Sequence, residues 1–230
     1  MAGPSGWRFN FFDLGAWPGN ETQAFLDAAD SFRDGRYAPV VAAYLWEAHP
    51  DHARQLIDRF SADPRVFVFN CAIGSANGVA DLFEAAKPEG TSIYPDKAEL
   101  SGSSVSVKEC VFSEMLRSLG LDRRGERTAN IIKANIEGAE WDLIQDLNKS
   151  GLWRLFDLYL GADQWTADMG KCHSLLPFIA KARTILDSAG ISVNPFCLGG
   201  PNYPPDANSV DLRMEIQRIM EERNCQSLAS

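Results

Sequence analysis

The sequence predicts an α/β fold: one mostly parallel, doubly wound sheet with helices on both faces. Three observations point there. Short bulky apolar runs alternate with stretches whose apolar residues recur at helical spacing, giving strand, helix, strand, helix, strand over the first third of the chain. The same alternation resumes at Asn130, after a less regular middle. With 230 residues, 45% of them hydrophobic, the chain holds material for a single domain over 1–230 with an irregular insertion around 76–110.

Taken in order, residues 7–14 read as the first strand, with Phe9, Phe11 and Phe12 supplying bulk. A glycine-bearing turn follows, and Asn20 is expected to cap the next helix, with Gln23 three positions on. That helix covers 21–32 and faces inward with Phe25, Ala28, Ala29 and Phe32. Residues 40–46 form a second strand closed by Glu47. Pro50 and Asp51 open a helix whose inner residues are Leu56, Ile57 and Phe60. The third strand, 66–69, runs into Asn70, Cys71 and Ala72. In the middle, 78–83 and 105–109 read as short strands. Residues 87–104, rich in Gly, Ser, Pro and Lys, read as a surface excursion suited to a lid.

A short helix at 112–119, a strand at 130–136, a helix at 139–147 and a strand at 155–160 follow. Residues 172–188 show a helical stripe of Leu175, Ile179, Ala182 and Leu186, with Pro177 at a kink or a first turn and Gly190 as the stop. A strand at 191–196, a loop at 198–208 and a helix at 212–223 complete the chain.

Composition narrows the function. The balance of 22 basic against 31 acidic residues, net −9, argues against a surface that holds nucleic acid by its backbone. Arg123, Arg124 and Arg127 form a tight basic cluster, which the surrounding Gly, Asp and Glu mark as a solvated loop. No apolar run is long enough to span a bilayer, and the start lacks the basic and apolar parts of a secretory signal. Cys71, Cys110, Cys172, Cys197 and Cys225 are odd in number and dispersed, which fits reduced thiols in a cytoplasmic protein and no zinc site. No metal centre is expected.

The first turn is the most informative segment. Gly15 and Gly19 let a backbone pass close to a ligand. The free N–H groups of the helix after them attract an anion, and Asp13 before them accepts hydrogen bonds from a cation. One anion-seeking and one ammonium-seeking end suit an amino-acid head group, as in the methionine half of S-adenosylmethionine. Glu47, at a strand's carboxyl end, is placed to accept ribose hydroxyls. A nicotinamide dinucleotide is the rival ligand, but Trp17 stands where its pyrophosphate needs a glycine. Glu137 and Glu140 flank a strand-to-helix passage at the same expected edge, able to orient a hydroxyl or take its proton, or simply to load a helix start. Lys133, in a buried strand, needs a partner such as a carboxylate. His173 is a candidate imidazole base.

These residues resemble the FkbM-type S-adenosylmethionine-dependent methyltransferases, a Rossmann-like class I family. The opening signature is matched by Asp13, Gly15, Ala16, Gly19 and Thr22; later ones by Glu47 with Pro50, by Ala72 with Gly74, by Gly90 with Ser92, and by Lys133, Glu137, Gly138 and Glu140. The likeness spans about residues 7–160 with the signatures in order. It implies methyl transfer to an oxygen of a small molecule or sugar. It also implies that Asp13, Gly15, Ala16, Gly19 and Thr22 serve the methionine end, Glu47 the ribose, and Asn70, Cys71 and Ala72 the adenine edge. Glu137, Asn135 and His173 are the candidate catalytic residues. The chain departs from the family pattern at Trp17, at Asn135, where an acid is usual, at Ser113 and at Gly161, with Asp163 two residues on. Asn135 and Gly161 leave open a module that binds the nucleoside without acceptor chemistry.

Overall fold

The structure, a computed structural model, describes residues 6–33, 38–161, 164–198 and 208–228. Its first half runs β1 (Arg8–Leu14), α1 (Asn20–Asp30), β2 (Val40–Glu47), α2 (Pro50–Phe60), β3 (Val66–Asn70), β4 (Ala72–Ile73), β5 (Gly78–Ala85), β6 (Leu100–Cys110) and α3 (Phe112–Ser118). The second half runs β7 (Thr128–Ala134), α4 (Glu140–Ser150), β8 (Leu158–Gly161), α5 (Trp165–Met169), α6 (Ile179–Ala189), β9 (Val193–Pro195) and α7 (Leu212–Leu228).

A six-stranded sheet in the order β3-β2-β1-β7-β8-β9 is parallel at every pairing. Its centre, β1, is buried along almost its whole length, as a parallel strand flanked on both sides must be. Neighbouring residues on it point to opposite faces. Phe9 and Phe11 pack with Phe25 and Leu26 of α1, Leu56 of α2 and Ile216 of α7. Phe12 and Leu14 pack with Phe112 of α3, Leu143 and Ile144 of α4, and Ala182 of α6. The register against β7 is marked by a buried amide pair, in which Asn10 Nδ2 donates to Asn130 Oδ1 at 2.8 Å.

Both strands expected in the irregular stretch are present and longer than expected, β5 reaching Ala85 and β6 beginning at Leu100. β5 and β6 pair antiparallel, and with β4 they form a separate three-stranded sheet. Other differences have local causes. Gly19, at φ 94°, occupies the cap of α1 in place of Asn20, whose side-chain oxygen instead accepts from Arg59 of α2 at 3.0 Å. Ile57 is 51% exposed, because the buried stripe of α2 is Ala53, Leu56 and Phe60 and the next residue turns away from it. Residues 173–178 form a tighter 3-10 turn containing Pro177, so α6 opens only at Ile179. Residues 152–155 likewise form a 3-10 turn, which shortens β8. α5 is too short to leave a periodic signal. The expected loop at 198–208 lies mostly outside the described residues, as does Asp163. Among the described residues no helix is long and apolar enough to cross a membrane.

Candidate functional site

A cavity of about 340 Å³ opens at the carboxyl ends of β1, β2 and β7. The order of the six-stranded sheet reverses between β1 and β7, and such crevices hold ligands in open parallel sheets.

The floor of the cavity is the turn after β1. Gly15 has φ +72°, and a Cβ there would lie 2.0 Å from the backbone oxygen of Asn135. Gly15 N–H donates to Trp46 O (2.9 Å) while Asn135 N–H donates to Leu14 O (3.0 Å). The glycine is therefore required by the approach of two backbones. Gly19 is required by packing as well: a Cβ there would meet Phe60 at 2.8 Å and Leu56 at 2.9 Å.

Asp13 lies beneath the cavity and does not line it. It is fully buried, takes the hydroxyl hydrogen bond of Thr22 (2.7 Å) and pairs with Lys133 Nζ (3.1 Å). Lys133 thus finds the carboxylate its burial demands, and also donates to Gly15 O (2.7 Å). Burial pulls the lysine's pKa down, but the charges of Asp13 and Glu21 outweigh it and hold the ammonium above its usual value. Thr22 and Ala16 are buried under the turn, and like Gly19 they do not line the cavity.

Glu47 does line it. Its two carboxylate oxygens accept the N–H groups of Trp17 (3.2 Å) and His49 (2.9 Å), which fixes the side chain and leaves lone pairs on both oxygens. Burial raises its pKa against the pull of these amides. Trp17 forms the adjoining wall, stacked on His52 with ring centroids 4.2 Å apart and hydrogen-bonded to Gln55. Burial lowers the His52 pKa to about 4, so that imidazole is neutral near pH 7. Beyond them the wall turns apolar, with Cys71, Ala72, Ile73, Leu82 and Ile93. Asn70 is not part of it: its amide donates to the carbonyls of Glu47 and Ala48.

The far end follows β7. Asn135 and Glu137 both line the cavity. Glu137 has φ 54°, a left-handed conformation unusual outside glycine. Glu140 enforces it by accepting the N–H groups of Ile136 and Gly138, each at 2.7 Å. Ser92 adds a hydrogen bond to the Glu137 carbonyl (2.7 Å). Lys97 (3.0 Å) and Lys171 (3.7 Å) reach the Glu137 carboxylate. Burial, then the charge of Asp168, raises its pKa against the two lysines. Asp168, buried and paired with Lys171 at 2.5 Å, lines the same end. The excursion contributes Pro88, Glu89, Thr91, Ser92 and Ile93 to the wall.

His173 is exposed and lies outside the cavity, so the structure separates it from Glu137 and Asn135. Glu21, His52, Glu89, Lys97, Asp168 and Lys171 are charged and ring groups at the site that sequence reasoning did not assign. Glu21 sits within the first signature, where it reads as a helix-start acid; the others carry no local signal. Among the described residues no group of three or more His, Cys, Asp or Glu is placed to hold a metal ion.

Compared with family models, curated proteins and solved structures, the chain has no significant match.

Proposed function

We propose that the chain is a Rossmann-like, doubly wound methyltransferase of the FkbM type that moves the methyl group of S-adenosylmethionine to an oxygen of a small molecule or sugar. One observation carries the reading: the Gly15 turn and the Glu47 carboxylate, from the ends of adjacent strands, line one cavity. The residues present suit the donor. Glu47 keeps lone pairs for a ribose diol. Ala72, Ile73 and Leu82 offer an apolar slot for a purine. Trp17, which lines the cavity, stands in the turn at the position where a dinucleotide's pyrophosphate needs a glycine.

Bound there, the donor supplies a methyl group made electrophilic by a sulfonium. The protein's part is to align, to exclude water and to accept a proton. Glu137, buried at the cavity's far end with its carboxyl pKa raised, takes the proton of the acceptor hydroxyl at Oε1, the oxygen that Lys97 and Lys171 do not engage. Asn135 orients that hydroxyl through its side-chain amide, since an amide cannot serve as the base. His173, exposed and outside the cavity, carries no step in this proposal.

Calorimetry with S-adenosylmethionine, S-adenosylhomocysteine and NAD tests the reading. The first two bind and NAD does not. Glu47→Gln weakens S-adenosylhomocysteine roughly tenfold, the effect of one lost hydrogen bond to a charged group. Heat with NAD alone, or with none of the three, refutes the proposal. Donor binding without transfer to any of a panel of hydroxylated acceptors favours a binding module instead.

A further inference from the structure

The sequence assigns the ligand's ammonium to Asp13, and the structure removes that option. Asp13 does not line the cavity, and its carboxylate is engaged by Thr22 (2.7 Å) and Lys133 (3.1 Å). Besides Glu47, which the Trp17 and His49 amides fix and which the donor reading gives to the ribose, the charged side chains that line the cavity around the Gly15 turn are Glu21 and Lys133, of opposite sign. Both residues are buried, at 5% and 3% exposure, so neither charge is dispersed by bulk solvent. Each is held in place from behind. Lys133 Nζ donates to Gly15 O (2.7 Å) and pairs with Asp13, which leaves the third proton of the ammonium. Among the described residues Glu21 accepts one hydrogen bond, from Leu198 N–H (2.9 Å), through Oε1. Its other oxygen retains its lone pairs.

We propose that Glu21 and Lys133 form a zwitterion clamp, Glu21 receiving a ligand ammonium and Lys133 a ligand carboxylate, so that the cavity selects nucleosides bearing an α-amino-acid tail. This rests on the donor reading and assigns its amino-acid end. The opposed charges fix the orientation of the tail: turning it end for end sets ammonium against ammonium and carboxylate against carboxylate.

The test is calorimetry on the full chain with four compounds: S-adenosylhomocysteine, its decarboxylated analogue, its deaminated analogue, and 5′-methylthioadenosine, which lacks both groups. In the unmutated protein each single deletion weakens binding about tenfold or more, and 5′-methylthioadenosine binds most weakly. In Glu21→Gln, S-adenosylhomocysteine loses its advantage over the deaminated analogue but keeps its advantage over the decarboxylated one. Replacing Lys133 alone strands Asp13, so the matching variant is the double change Asp13→Asn with Lys133→Gln, which loses the advantage over the decarboxylated analogue. Equal affinity for all four compounds in the unmutated protein overturns the clamp while leaving the donor reading intact. So does a tenfold preference over the deaminated analogue that survives Glu21→Gln, a variant that leaves the Asp13–Lys133 pair in place. Failure to bind any of the four overturns the donor reading and the clamp together.

Discussion

Gly15 shows how one residue serves fold and site at once. Its left-handed φ of +72° and the 2.0 Å gap a Cβ would leave to Asn135 O make any side chain there a collision with backbone. Gly15→Ala is expected to lower unfolding free energy by about 2 kcal/mol or more, measured by urea denaturation, since backbone strain alone costs about 1–3 kcal/mol. An unchanged midpoint would mean that the two strand ends do not meet as described. Glu140 makes a second prediction. Burial, then the charge of Asp168, pushes its carboxyl up to about 8 against its two amide hydrogen bonds. An unfolded Glu titrates near about 4.3. Between those values the folded state binds the extra proton, so stability is greatest at the acid end of the window and falls as pH rises toward 8. His52, at about 4 when folded and near about 6.5 when unfolded, opposes this fall at the start of the window and adds nothing above about pH 7.5, where it is neutral in both states. Urea unfolding should therefore weaken between about pH 6.5 and 8, by at most about 1.4 kcal/mol per pH unit for this one proton. Glu140→Gln should flatten that slope; an unaltered slope would rule Glu140 out as its source. The glycine was legible in the sequence because a turn needs it, whereas the raised carboxyl was not, because burial is a property of the folded neighbourhood.

The excursion between β5 and β6 is held to the rest of the protein by discrete polar contacts. Ser92 bonds the Glu137 carbonyl (2.7 Å), Tyr94 donates to Asp142 (2.8 Å), and Lys97 donates to Gly90 O (2.6 Å) and pairs with Glu137 (3.0 Å). Backbone pairing adds Ala98 N–H to Lys171 O (2.9 Å). Lys97 and Glu137 have side-chain exposures of 5% and 12%, so their pair is screened weakly. Lys97→Ala should reduce stability by about 3 kcal/mol, the scale on which a buried pair fails when one partner is removed. It should also make residues 86–99 the first cut in limited proteolysis, while Lys171 keeps Glu137 partly compensated. A digestion pattern identical to that of the unmutated protein would show that the lysine does not anchor this segment. The sequence marked the excursion by composition, but the strands flanking it read too short. Gly102 and the serines around it lower the β signal, and the antiparallel partner that overrides it is up to thirty-odd residues away.

Across the whole molecule the six-stranded sheet divides the interior into two hydrophobic clusters that share β1 and β7 but draw on different helices. Ile144 of α4 belongs to one and Ile216 of α7 to the other, both fully buried. Ile144→Val and Ile216→Val should each cost about 0.5–1.5 kcal/mol. Because they share no cluster, the double variant should equal the sum within about 0.5 kcal/mol in urea titrations. A larger coupling would show that the sheet transmits packing strain from one face to the other.

Strand and helix order could be read from the chain because side-chain periodicity and the punctuation of Gly and Pro depend on neighbours a few positions apart. So could the identity of the cavity's Gly15 and Glu47, which stand at the ends of such runs. Which charges meet could not. Asp13 finds Lys133, and Glu137 finds Lys97 and Lys171, only once the strand order and the docked excursion bring distant segments together. The reason is that a buried charge is stabilised by whatever opposite charge lies within a few ångströms, and distance in space is settled by pairing across the sheet, not by position along the chain.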